Sequence, residues 1–108
     1  MNEPIIVCLC GSTKFKQEFI DANFRETMKG KIVLSVGFFR HTDKELHHLT
    51  REEGRSLDRL HLQKIDLAHE ILILDVGGYM GNGTNRELEY ARIHHKTIRF
   101  LSLEEANE

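Results

Sequence analysis

Four short apolar runs constrain this chain more than any other feature: "PIIVCLC" at 4–10, "KIVLSV" at 31–36, "EILILDV" at 70–76 and "TIRFL" at 97–101. They are rich in β-branched residues and nearly continuous rather than alternating, the pattern of strands covered on both faces. Between them lie segments with helical spacing, roughly Lys14 to Met28, Arg51 to His69 and Thr84 to His95. The order β-α-β-α-β-α-β, with crossovers of helical length, predicts an α/β fold with helices on both sides of a mainly parallel sheet of four to five strands. That is a flavodoxin- or Rossmann-like three-layer sandwich. A chain of 108 residues suits one domain, 1–108, around one core.

Composition narrows the function classes. With 40% hydrophobic and 30% charged residues, disorder is expected only at the frayed end "EEANE". The formal net charge is -2 and the basic residues are scattered, which removes the footprint that nucleic-acid backbone binding requires. A small anionic ligand in one basic pocket stays compatible. No apolar stretch approaches the roughly 20 residues that span a bilayer, and "MNEPIIVCLCG" lacks the pattern of a signal peptide, so the expectation is a cytoplasmic chain with no membrane partner. Cys8 and Cys10, two apart in a strand, face one side at a separation poorly suited to a disulfide. They read as buried, reduced packing residues. Among seven histidines, His47-His48 and His94-His95 are adjacent, which on a helix points the rings about 100° apart. Without HxxxH, CxxC or a carboxylate cluster, neither metal nor cofactor is expected.

The first helix carries two apolar stripes. Phe15, Phe19 and Ala22 form one, and Ile20, Phe24 and Met28 form another on a different side. One stripe packs on the sheet, which leaves the other for a partner, expected to be a second copy in a homodimer. Gly37 to Arg55 is the longest stretch without a clear period and reads as a functional loop or lid grading into the second helix.

In open parallel sheets ligands bind outside the carboxyl ends of the strands. Three segments reach that edge. In "GSTK", Gly11 permits a tight turn, and Ser12, Thr13 and Lys14 suit a phosphate or sugar oxygen, although a plain N-cap with a turn glycine has the same appearance. In "DVGGYMGNG", Asp75 ends the third strand, and the glycines let backbone approach a ligand or simply make a loose turn, with Gly78, Tyr79, Asn82 and Gly83 as candidate binding residues. Thr84-x-x-Glu87 fits a capping box. Glu87 nevertheless lies only about 40° from Ala91 on the wheel and leans toward the sheet, whereas Glu89 points away. An inward carboxylate at a helix N-terminus is expected to keep a low pKa, which suits a nucleophile. On the second helix, Asp58 and His61 fall near the ligand edge, while Asp66 and Glu70 fall on the far side. His61 and Lys64 sit within the apolar arc, as functional groups or as a satisfied core histidine and a snorkelling stem.

"CLCGST", "IDLAHEILILDVGGY" and "GNGTNRELEYARIHHKTIRFL" together resemble the nucleoside 2-deoxyribosyltransferase-like family, which includes deoxynucleoside 5'-monophosphate N-glycosidases. The resemblance covers most of the chain and is specific from Lys64 to Leu101. It implies that Glu87 attacks the anomeric carbon and that Gly11, Ser12 and Thr13 lie against sugar or 5'-phosphate. Two acids of the family pattern are replaced: Gly81 stands six residues before Glu87, and the helix position of the other aspartate falls near His61 and Leu62, with Asp58 one turn earlier. A second, lesser resemblance, in "CGS" and "GGYMGNGT", is to cytokinin-releasing phosphoribohydrolases. The expected activity is therefore cleavage or transfer at an N-glycosidic bond of a nucleoside or its monophosphate. Glu87 is the nucleophile, and Asp75, Asp58 or His61 orient the sugar or handle a proton. The alternative is a non-catalytic nucleotide-sensing module on the same fold.

Overall fold

The structure, a computed structural model, describes residues 3–43 and 48–107. Strands β1 (Ile6–Cys10), β2 (Ile32–Leu34), β3 (Glu70–Ile73) and β4 (Thr97–Phe100) form one all-parallel sheet in the order β2-β1-β3-β4. The register sets Cys8 opposite Leu34 on one side and Ile71 on the other, so β1 lies in the middle and is buried through Cys10. Helices α1 (Lys16–Met28), α3 (Arg51–Leu67) and α4 (Asn82–Ile93) make the crossovers, with α2 (Arg40–Asp43) and α5 (Leu101–Ala106) as short additions.

Alternation along the strands divides the core in two. Val7, Leu9, Leu72 and Leu74 pack with Phe19 and Ala22 of α1 and Leu101 of α5. Cys8, Cys10, Ile71 and Ile73 pack on the opposite face with Ile65 of α3 and Leu88 and Ala91 of α4. The result is the expected three-layer, flavodoxin/Rossmann-like arrangement. Because α1 leads from β1 to β2 over one face and α3 leads to β3 over the other, strand order reverses between β1 and β3. A crevice opens at the carboxyl ends of such a pair.

Several boundaries differ from expectation, each for a tertiary reason. As an edge strand paired only with β1, β2 stops at Leu34 rather than Val36. The segment expected to fray forms α5 through Ala106, with Glu108 outside the described residues. Helix α4 starts at Asn82, not Thr84, and Gly81 gives it no side-chain cap, so Thr84 and Glu87 form no capping box. The capping box is at α3: Thr50 Oγ1 accepts from the Glu53 N–H at 3.1 Å, and the Glu53 carboxylate accepts from the Thr50 N–H at 2.9 Å. Within the segment read as a lid, α2 is ordered against the body, and residues 44–47, including His47, lie outside the described residues. On α1, Phe19 and Ala22 are buried while Ile20, Phe24 and Met28 are exposed, as the two stripes require. Among the described residues no helix is long and apolar enough to cross a membrane.

Candidate functional site

A cavity of about 340 Å³ opens at the carboxyl edge between β1 and β3, near the lower end of the range for small-molecule sites. Its floor begins at Gly11. A Cβ there would come 3.1 Å from Leu74 Cβ and 3.2 Å from Leu74 O, so glycine lets the chain turn away from β1 tightly against β3 without displacing Leu74 by a few tenths of an ångström. The turn closes on itself: the Ser12 carbonyl accepts from the Phe15 N–H at 3.1 Å, and Ser12 Oγ from the Lys14 N–H at 3.3 Å. Thr13 Oγ1 bonds His41 Nδ1 at 2.8 Å and ties the turn to α2.

The second wall is the start of α4. A 3₁₀ turn, Val76–Gly78, precedes it, with Gly77 and Gly78 in the left-handed region at φ 61° and 82°. Tyr79 then reaches the cavity, its ring 3.5 Å from Lys14 Nζ and edge-on to Phe15. Gly81, Gly83 and Thr84 also line the cavity, and the uncapped backbone N–H groups of this helix start suit an anion.

The third wall is α3, where Asp58, His61 and Lys64 follow at helical spacing. Asp58 pairs with Arg40 Nη2 at 3.1 Å, and the same nitrogen donates to the Gly54 carbonyl at 2.9 Å. Lys64 Nζ donates to the Ser35 carbonyl at 2.6 Å, which occupies one of its donors at the edge of the cavity.

His61 and Glu87 meet at the base. Glu87 lies in the second turn of α4 with its side chain 20% exposed, and Oε2 is 3.9 Å from His61 Nε2; Glu89 points to solvent. Beneath them the thiols of Cys8 and Cys10 lie 3.7 and 3.5 Å from the same Nε2. Burial is the main reason the Glu87 carboxyl is pushed up to about 7, with the charges on Cys8 and Asp58 adding and those on His61 and Arg86 opposing. The low pKa expected from the sequence is thus overturned, since Glu87 is too far along the helix for the first-turn amides to offset burial. Burial alone would lower His61, but its hydrogen bond to Cys8 and the charge of Glu87 raise it. A hydrogen bond from Cys10 brings the Cys8 thiol to about 6, against burial and with help from His61. The bond to Cys8, together with burial, pushes Cys10 up.

The structure thus brings Gly11, Ser12, Thr13, Asp58, His61, Tyr79, Gly83, Thr84 and Glu87 to one cavity. Lys14 stands over Tyr79, Gly78 serves the turn, and Asn82 opens α4 without lining the cavity. Asp75 is elsewhere: its buried carboxylate accepts from the Ser102 N–H at 2.9 Å and Ser102 Oγ–H at 2.6 Å, anchoring α5. Arg40 and His41 were not singled out from the sequence, because the aperiodic segment that holds them carries no signal for which side chains turn inward. Cys8 and Cys10 did carry a signal, their shared face, but its other half, His61, is far along the chain.

The chain matches no protein-family model and no curated protein. Fold and site together define a parallel α/β protein with a ligand-sized cavity at its topological switch point and a carboxylate–imidazole–thiol cluster at the base.

Proposed function

We propose that the protein cleaves or transfers the N-glycosidic bond of a (deoxy)nucleoside or its 5'-monophosphate, with Glu87 as nucleophile. The observation that carries this reading is the Glu87 carboxylate, largely buried and lining a cavity of about 340 Å³ beside His61. Glu87 attacks C1' as the base leaves with the bonding electron pair, and the developing oxocarbenium charge favours the carboxylate anion. His61, whose affinity for a proton is raised, supplies one to the departing base. Water, or a second base, then displaces the glycosyl ester and frees Glu87. The Ser12–Thr13 turn, Arg40 and the start of α4 suit the sugar hydroxyl or 5'-phosphate.

One observation favours a non-catalytic nucleotide-binding module. With Asp75 committed to Ser102, the only other acid lining the cavity among the described residues is Asp58, and it is paired with Arg40. Incubation with a panel of deoxynucleosides, ribonucleosides and their monophosphates, followed by chromatography for free base, separates the readings. Catalysis predicts that Glu87→Gln lowers release by about 10³-fold or more while a ligand-induced rise in melting temperature persists. Release from ribonucleotides alone would move the assignment to the phosphoribohydrolase type. Ligand-induced stabilisation with no release by the wild type would establish the binding module, and neither effect would overturn both. The proposal includes a second copy covering Ile20, Phe24 and Met28, in which case Phe24→Asp sediments as a monomer.

A further inference from the structure

Three side chains with soft or borderline donor atoms meet beneath the cavity: Cys8, Cys10 and His61 are all buried, and their donor atoms lie within 4.8 Å of one another. Among the described residues no other group of histidine, cysteine and acid side chains converges in this way. Hydrogen bonding explains the convergence poorly. One ring nitrogen can serve only one sulphur at a time, yet Nε2 lies 3.7 Å from Cys8 and 3.5 Å from Cys10. The other partners of the thiols are each other and backbone carbonyls at 3.9 and 4.0 Å, all of them weak sulphur contacts.

A tetrahedral ion explains the distances better. With metal–sulphur bonds of about 2.3 Å and metal–nitrogen bonds of about 2.0–2.1 Å, the sulphur–nitrogen edge of the tetrahedron is about 3.5 Å. Both observed separations fall close to that edge. Glu87 Oε2, at 3.9 Å from the nitrogen, is longer than the corresponding edge of about 3.3 Å, so it stands beyond the ion as placed. We propose that Cys8, Cys10 and His61 form a binding site for a thiophilic divalent cation of the zinc class, with its fourth position open toward Glu87 and the cavity. Two thiolates and one imidazole exclude magnesium and calcium, which take oxygen ligands. The ligand charges close as well, because two thiolates neutralise a dication. Three protein ligands and one open position are the composition of a reactive site rather than a closed structural one. The inference does not rest on the glycosidase reading, since it concerns what the base of the cavity binds; it takes His61 Nε2 as a ligand, so in metal-loaded protein the proton for a departing base comes from a group other than His61.

Titration of the reduced full-length protein with Co²⁺ alone tests it. The expected result is one equivalent bound, with a thiolate charge-transfer band and the intense visible bands of tetrahedral cobalt, both bleached by Zn²⁺. Cys8→Ser, Cys10→Ser and His61→Ala should each weaken binding by more than the roughly 10–100-fold that loss of an outer-shell partner costs. Glu87→Gln should retain the spectrum while losing base release, which keeps failure of this site distinct from failure of the catalytic reading. Should the cysteine variants not fold, X-ray absorption of zinc-loaded wild type decides the matter, with two sulphur neighbours at about 2.3 Å expected. Absence of a charge-transfer band from protein with both thiols titratable, or a metal shell of nitrogen and oxygen only, would overturn the proposal.

Discussion

Glu26 and Glu87 are both acids drawn into the protein, one toward each end of the sheet, and their surroundings treat them in opposite ways. Toward the amino end, Glu26 is fully buried and meets Arg99 as well as Lys29 and Lys31, each at 3.2 Å. Lys31 and Arg99 also reach Glu70, at 2.6 and 3.0 Å, and Arg99 Nε reaches Glu104 at 2.7 Å. Burial alone would raise Glu26, but hydrogen bonds from Arg99 and Lys29 outweigh it and hold the carboxyl at about 2. At the carboxyl end, Glu87 meets His61 only at 3.9 Å and burial prevails, leaving the carboxyl at about 7. A closed ion network binds the layers together, whereas the poorly compensated acid beside the cavity is the group to which the proposed reaction assigns the attack on C1'.

The largest effect should come from breaking the closed network. Arg99→Met removes the guanidinium shared by Glu26, Glu70 and Glu104, leaves Glu26 and Glu70 to Lys29 and Lys31, and should lower the unfolding free energy by about 3 kcal/mol in urea denaturation. A loss below about 1 kcal/mol would show that the network is no tighter than a surface pair. Acid should titrate the same feature. Because the folded pKa of Glu26 lies below its ordinary 4.5, its stabilisation is complete above pH about 4.5 and lost as pH falls through about 2. The loss is on the order of 3 kcal/mol, and it should be absent from Glu26→Gln in pH-dependent melting.

Smaller effects sharpen the other half of the contrast. Asp75→Ala removes both bonds to Ser102 and should cost about 1–2 kcal/mol without changing ligand binding, since Asp75 holds α5 and does not line the cavity. Glu87→Leu should leave stability within about 1 kcal/mol of wild type, or raise it, while removing the carboxylate from the site. A loss of about 3 kcal/mol there would place Glu87 among the structural acids and erase the distinction between the two ends.

Much of this contrast was partly legible in the chain. Glu87 and His61 stood out because helical spacing turned a polar group toward an apolar side, and Asp58 followed from the direction of α3. Asp75 misled because the end of a parallel strand is where ligands bind, yet its carboxylate was taken up by a six-residue helix that no local pattern announced. A helix that short is marginal alone and depends on such an anchor. The ion network was equally hidden, since Glu26, Glu70 and Arg99 come from three separate elements and their pairing has no local signature.

The sequence by itself determined the order of strands and crossovers, the parallel sheet and the buried sides of the helices, because those follow from hydrophobic periodicity within segments of three to seventeen residues. Only the tertiary structure decided which polar groups end as partners. Whether an acid is matched by cations, as Glu26 is, or left near a thiol–imidazole cluster, as Glu87 is, depends on distances between elements tens of residues apart. Burial makes those few ångströms decisive, because a charge out of water is stabilised only by groups close enough to touch it.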